Sequence, residues 1–419
     1  MKIIQTLEEL DEMLLKLDAA QQVSDDELRR LFPTFRMNFD LHVPEDPSSD
    51  EYAKYQFDLY RRISGKTYTV ENEKSTFDLV SAVLRPFPYY TGSCETVGNQ
   101  LVAIGHIIKS LDLKTGTKIV EFGPGWGNTT IALAMMGFDV TAVDIEKNFC
   151  DLIKRRAENH GVDIEVINAD FSWIEQIKDP VDAILFFESF HHASDHVRII
   201  KALKNSVKEG GKVLFAAEPI TPDFPIPWGL RLDGESLWAI RKFGWLELGY
   251  SEDYFVKTLR KYGWSVEKLM FDHPWSTIYK ATILSANFKK YLVNDPKIYS
   301  QIGIRNNNNI LVSNGLAGYL VYGPYVYLQA GKYIANIYLS DTTSLMGNGY
   351  IDVSCRKGEV ILAKKAIVFK NLSGSDKIQI EFYTDKDESD IEVRLLCYEK
   401  SRVKVSAVEI MNKSKKNSN

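Results

Sequence analysis

The chain has 419 residues, of which 45% are hydrophobic and 26% charged, with a formal net charge of −5. That balance describes a folded protein long enough for two or more domains, and it excludes a chain too polar to build a core. The acidic excess leaves no electrostatic footprint for nucleic acid, so no nucleic-acid partner is expected. Cys94, Cys150, Cys355 and Cys397 form no CxxC pair and read as free thiols in a reducing compartment. No stretch approaches the ~20 apolar residues of a membrane helix. The acidic, amphipathic start is unlike a secretory leader. A cytoplasmic protein without an integral membrane segment is expected.

In chain order, residues 1–35 show helical periodicity, with Ile4, Leu7, Leu10, Met13, Leu14 and Leu17 spaced by three and four. A second helix is predicted over Asp25–Leu31, capped by Ser24 and ended by Phe32-Pro33. A polar, proline-rich linker runs from His42 to Asp50. Asp50 is read as the cap of a helix over Glu51–Arg62, and a further helix is predicted over Ser75–Leu84. Pro86–Gln100 sets aromatics, glycine and threonine ahead of a helix over Glu95–Ser110.

The organising stretch is Lys118–Thr130, KIVEFGPGWGNTT. Apolar residues lead to Glu121, then to Gly123, Gly125 and Gly127 at alternate positions, then to a helical segment over Thr129–Met136. This predicts strand, tight turn and helix, with glycines where a Cβ would collide with an approaching ligand. Further strands each lead to an acid. Phe138–Val143 precedes Asp144, and Asp163–Ile167 precedes Asp170 and Phe171. Val181–Phe187 precedes Glu188, and Lys212–Ala217, entered through an EGG turn, precedes Glu218. An acid ending the second strand, roughly 20 residues past the glycines, suits ribose hydroxyls.

The run E-F-G-P-G-W-G followed by these acids resembles the motif series of class I S-adenosylmethionine-dependent methyltransferases over roughly residues 89–285. The resemblance implies S-adenosylmethionine as cofactor and a seven-stranded, doubly wound Rossmann-like α/β sheet. It implies that Glu121 holds the ammonium, directly or through water, and that Gly123, Gly125 and Gly127 pass close to the nucleoside. Asp144 takes the ribose, Asp170 the adenine amino group, and Phe171 packs on the ring. Glu188 joins the cofactor set, as do Tyr90 and Thr91 from the segment that in this family closes over the cofactor. Tyr89 joins the acceptor pocket. The same segment is similar to methyltransferases of bacterial surface-polysaccharide (O-antigen or capsule) gene clusters.

His191 and His192 follow the fourth strand, where open α/β sheets bind ligands, and are the expected catalytic pair. Glu188, His191, His192, Asp195 and His196 fall within nine positions, but imidazoles suit magnesium poorly, so no metal is expected. Pro219–Tyr250 is too long and aromatic for an ordinary connection. Its Trp228, Arg231, Glu235 and Arg241, with Glu218 ahead of it, are expected to contact a sugar through stacking and paired hydrogen bonds. A helix over Asp253–Tyr262 and strands over Trp264–Phe271 and Ser276–Leu284 complete the sheet. From Ile310 to Met411 apolar and polar residues alternate between turns, which predicts an antiparallel β-sandwich. Its GPYVYLQAGKYIANIYL resembles jelly-roll accessory domains beside bacterial glycan-modifying enzymes.

The expected organisation is an N-terminal helical region at 1–88, a methyltransferase domain at 89–290, a jelly-roll-like sandwich at 291–411 and a disordered tail at 412–419. The expected reaction is O-methylation of a sugar on a nucleotide-sugar or a surface glycan. Two alternatives stand beside it: a lipid-like or phenolic small-molecule acceptor, and a binding protein that keeps the fold without activity. Homo-oligomerisation is left open.

Overall fold

In a computed structural model of the protein, the described residues are 1–38, 42–271, 276–283, 289–306, 310–372 and 374–413. The chain divides into two compact units, Met1–Ile283 and Leu284–Asn419.

The first unit is built on seven strands: β1 (Lys118–Phe122), β2 (Asp139–Asp144), β3 (Glu165–Asn168), β4 (Val181–Phe187), β5 (Val207–Ala216), β6 (Trp264–Leu269) and β7 (Ile278–Ile283). Their order is β6-β7-β5-β4-β1-β2-β3, and β7 runs antiparallel to both neighbours. The middle of β4, Ala183 to Phe186, is fully buried, as expected of a parallel strand covered on both faces. The winding reverses between β1 and β4, which opens a crevice at the strands' C-terminal ends. The EGG run expected to precede β5 lies inside it instead, where a register shift against β4 absorbs the glycines.

The N-terminal helices are not a separate domain. Leu10, Met13 and Leu17 of helix Leu7–Val23 share one core with Val120, Phe186 and Phe215 of the sheet. Ser24 caps Asp25–Leu31 as predicted. The helix Asp50–Ser64 is capped by Ser49, whose hydroxyl accepts from the Tyr52 N–H at 3.1 Å, and Asp50 sits in its first turn. The helix expected over Ser75–Leu84 shrinks to Leu79–Leu84, because Asp78 accepts from the N–H groups of Val80 and Ser81 and starts it late. A parallel pairing of Lys2–Ile4 with Phe35–Met37 was not expected, since three-residue strands carry no readable period.

The aromatic insert is structured rather than a loop. Ile220–Thr221, Trp228–Leu230 and Leu248–Ser251 form a three-stranded sheet, with helix Gly234–Lys242 between the last two in sequence. A Cβ on Gly234 would lie 2.4 Å from the Phe32 carbonyl, and one on Gly249 would lie 2.4 Å from Phe224. These two glycines permit backbone contact that any side chain would block.

In the second unit the period-two alternation becomes two antiparallel sheets around one core. One holds Gly303–Arg305, Leu311–Ser313, Lys404–Asn412, Gly331–Leu339 and Lys377–Thr384, with Lys289–Leu292 also on Lys404–Asn412. The other holds Gly318–Leu328, Glu388–Cys397, Asn348–Cys355 and Val360–Val368. Asn412 of the expected tail ends a strand, and residues 414–419 lie outside the described residues.

Arg394 grips Asp352 in this unit with two bonds, 2.7 Å from Nε and 3.0 Å from Nη2, and Asp352 is 1% exposed. Arg394→Met strands that carboxylate in the protein. We expect a loss of about 3–5 kcal/mol in the urea unfolding of this unit, read by circular dichroism. An unchanged midpoint would mean that the pair contributes nothing net.

Candidate active site

The turn after β1 needs its glycines for different reasons. All three have positive φ: +63° at Gly123, +49° at Gly125 and +72° at Gly127. A Cβ on Gly123 would come within 2.6 Å of Ser189, and one on Gly127 within 2.6 Å of Ile153. One on Gly125 would meet nothing within 4 Å, because Gly125 faces a cavity of about 380 Å³. Gly123, Asp144, Asp170, Phe171 and Glu188 also line it. The Asp144 carboxylate is held by two backbone N–H groups, Gly125 at 3.1 Å and Glu146 at 2.8 Å. Burial still pushes its carboxyl up to about 6. Asp170 accepts from the Ser172 N–H at 2.8 Å, which sets it at the cavity edge beside Phe171. Oriented carboxylates, aromatic faces and an open glycine backbone fit a nucleoside that carries hydroxyls and a cationic tail.

Not every residue expected at the cofactor lies on this wall. Glu121 is buried behind the turn, where Thr130 donates to it at 2.5 Å, and burial raises its carboxyl to about 7. Gly127 begins helix Asn128–Met135 and packs on Ile153. Tyr90 packs against Phe87 and Trp126, and Thr91 donates to the Pro88 carbonyl at 2.7 Å. Tyr89 is half-exposed and lines neither this cavity nor the larger one beside it. The wall they would have formed comes from Tyr68, Val70, Glu73 and Ser75, a stretch whose sequence shows only a Thr69–Asn72 capping box.

Beyond β4 the chain makes a tight turn. Glu188 has φ +51°, a left-handed conformation that side chains rarely adopt. The carboxylate of Glu218, just past β5, holds this turn together. It accepts from the N–H groups of Ser189 (2.9 Å), Phe190 (2.8 Å) and His191 (3.1 Å), and pairs with His191 Nδ1 at 2.8 Å. Burial would raise its carboxyl, but the His191 ring and these backbone groups outweigh that and hold it below its ordinary value. With Nδ1 committed, His191 presents Nε2, which lies 3.6 Å from Glu247 Oε2. His192 Nδ1 lies 3.1 Å from Glu73 Oε2. Burial opposes its proton, yet Glu73, Glu247 and Glu218 raise it to about 9.

A second cavity, of about 1240 Å³, shares Glu188 and Trp245 with the first. Arg231, Glu235 and Glu247 give it charge, His191 gives it an imidazole, and Phe32, Phe224 and Trp238 give it aromatic faces. Arg231 bridges Asp233 (3.0 Å) and Glu247 (3.4 Å). Glu188 is open to both cavities. The side chain is exposed, and desolvation by the surrounding walls, with the charges of Glu235 and Glu218, raises its carboxyl to about 7. Three residues expected at the acceptor do other work. Glu218 lines the larger cavity, but its carboxylate is engaged by the turn. Trp228 is buried on Tyr52 and donates to the Pro47 carbonyl at 2.8 Å. Arg241 binds Asp11 through two bonds of 2.9 Å, since it lies about 120° around its helix from Glu235. His196 is also outside the cluster, bonded to Tyr254 at 2.9 Å.

Residues 119–211, β1 into β5, match the sequence profile of a family described as methyltransferase domain. The chain carries a methyltransferase domain. Its cofactor is S-adenosylmethionine. The chain is 30% identical over 115 residues to the ubiquinone biosynthesis O-methyltransferase of Coxiella burnetii, covering 27% of this chain and 49% of that one. It is 25% identical over 194 residues to the tuberculostearic acid methyltransferase UfaA1 of Mycobacterium tuberculosis, covering 45% and 44%. The solved apo structure of the S-adenosylmethionine-dependent methyltransferase SibL aligns with a TM-score of 0.37 and 12% identity, over 57% of this chain and 71% of that one. The chain spans about half the length of the curated relatives it matches. The methyltransferase domain match ends before the insert that carries Trp245 and Glu247. Among the described residues, no helix is long and apolar enough to cross a membrane.

If Asp144 takes the ribose hydroxyls, its carboxylate must be ionised to do so. Affinity for S-adenosylhomocysteine, measured by calorimetry, should hold above neutral pH and weaken as pH falls through about 6. Asp144→Asn should cost about tenfold or more, which is ~1.4 kcal/mol, and flatten that dependence. Binding equal to wild type in Asp144→Asn would place the ribose elsewhere.

Proposed function

We propose that the protein is a cytoplasmic S-adenosylmethionine-dependent O-methyltransferase whose acceptor is a sugar hydroxyl, on a nucleotide-sugar or within a bacterial surface glycan. One observation carries this reading: the nucleoside-sized cavity meets a larger, charged one at Glu188, with His191 and His192 on either side. S-adenosylmethionine, when bound, supplies an electrophilic methyl group together with its own leaving group. The chain must therefore align an acceptor oxygen with that methyl and take the hydroxyl proton.

Glu188 is the proton acceptor in this reading, because its carboxyl titrates near neutrality and opens to both cavities. The acceptor oxygen forms its bond to the methyl carbon as the carbon–sulfur bond breaks. The bonding pair leaves on sulfur, and the proton passes to Glu188. His191 and His192 polarise the same oxygen. The sugar is favoured by a cavity that mixes aromatic faces with Arg231, Glu235 and Glu247, since sugars stack through C–H faces and hydrogen-bond through hydroxyls. A lipid-like or phenolic acceptor is the second reading, favoured by Phe32, Phe35 and Ile226 on the same wall.

Incubating a library of nucleotide-sugars, glycans and phenols with isotopically labelled cofactor should put labelled methyl on one sugar class by mass spectrometry. Label on phenols alone would select the second reading. Glu188→Gln should lower kcat by about 10²–10⁴-fold while leaving S-adenosylhomocysteine affinity within threefold. In the wild type, kcat should rise with pH through about 7 as Glu188 loses its proton. A Glu188→Gln enzyme of full activity would remove Glu188 from this role.

A further inference from the structure

We propose that His191, His192 and Glu247 form a binding site for a divalent first-row transition metal, of the zinc or manganese kind, at the junction of the two cavities. The role assigned to that ion rests on the O-methylation reading, whereas the site itself rests on geometry alone. One nitrogen of each histidine and one carboxylate oxygen of Glu247 lie within 4.8 Å of one another. Bonds of about 2.1 Å in a tetrahedral site put ligand atoms about 3.4 Å apart. His191 Nε2 and Glu247 Oε2, at 3.6 Å, already match that edge.

The surroundings are built as metal sites are built. A ligating histidine ordinarily gives its other nitrogen to a carboxylate, which fixes the ring and raises its basicity. Glu218 does this for His191 at 2.8 Å, and Glu73 stands 3.1 Å from His192 Nδ1. That Nδ1 is buried and has no aligned hydrogen-bond partner. Three carboxylates, Glu73, Glu218 and Glu247, surround two imidazoles. Arg231, 3.4 Å from Glu247, is the nearby fixed cation, and it is shared with Asp233. Two imidazoles and one carboxylate select a borderline metal over magnesium or calcium, which take oxygen ligands.

Three protein ligands leave a coordination position open. An acceptor hydroxyl bound there would be acidified by the ion. Its proton then passes to Glu188, its oxygen bonds to the methyl carbon, and the carbon–sulfur pair leaves on sulfur. No redox change is involved, so zinc and manganese are equivalent for the step. In this arrangement His191 and His192 polarise the oxygen through the ion, and neither acts as the base.

The test uses the full chain, freed of metal with a chelator and titrated with Zn²⁺ and, separately, Mn²⁺. Calorimetry should give one ion per chain, and the Mn²⁺ electron paramagnetic resonance signal should change on binding. Glu247→Gln should weaken binding at least tenfold, whereas His160→Ala, an exposed histidine elsewhere, should leave it unchanged. His191→Ala risks the turn itself, so Glu247→Gln is the deciding variant, with S-adenosylhomocysteine affinity confirming its fold. Absence of binding by the wild-type chain, or binding indifferent to Glu247→Gln, would overturn the site. Chelated enzyme that methylates its acceptor at full rate would overturn the ion's role and leave methyl transfer standing. Metal bound through Glu247, with no acceptor methylated, would retain the site and remove the O-methylation reading.

Discussion

The site depends on one buried carboxylate. Glu218 stands at the end of β5 with its side chain fully enclosed, and it has four hydrogen-bond partners across the β4 turn. Bonds to a charged group contribute about 1.5–3 kcal/mol each. A left-handed residue such as Glu188 costs about 1–3 kcal/mol. The sum of the bonds exceeds the strain, so the turn keeps a shape its own residues would not choose. That shape aims Glu188 at both cavities and turns His191 Nε2 toward Glu247. Glu218 itself never needs to meet the acceptor.

The same electrostatics explain why charges can gather at the cavity junction. Carboxylates there have partners: the His191 ring for Glu218, His192 for Glu73, and Arg231 for Asp233 and Glu247. Glu188 is the exception. Desolvation by the surrounding walls, then the like charges of Glu235 and Glu218, raise its carboxyl to about 7 against the weaker pull of Arg29 and Arg231. A group left undercompensated in this way costs stability when ionised, and it gains the ability to exchange a proton at working pH.

The cofactor half was legible because its constraints are local. Alternate glycines followed by a helix, and acids at successive strand ends, are fixed by backbone geometry within a few residues, and Asp144, Asp170 and Phe171 fall on the cavity as their spacing implies. Glu121 shows the limit. Its position in the strand was readable, but its side chain points to Thr130 rather than to the cavity, and a one-residue alternation decides which. The lining from Tyr68 to Ser75 was invisible because it reaches the cavity through tertiary folding, with no period of its own. Trp228 and Arg241 were assigned by residue type alone. Their burial against Tyr52 and pairing with Asp11 depend on where helix and strand faces turn.

This division has a chemical consequence. The matched region, 119–211, supplies the glycine turn, Asp144, Asp170, Glu188 and both histidines, but it supplies neither Trp245 nor Glu247. Those come from the insert, whose fold is held by glycine contacts against Phe32 and Phe224. Glu247 leads into the strand Leu248–Ser251, which pairs with Trp228–Leu230, and Gln56 of helix Asp50–Ser64 accepts from the Leu230 N–H at 3.1 Å. The acceptor side of the chemistry is thus assembled from three distant stretches of chain around a cofactor site that one stretch nearly completes. In the proposed reading, substitutions at the larger cavity change what is methylated without touching the groups that hold the methyl donor.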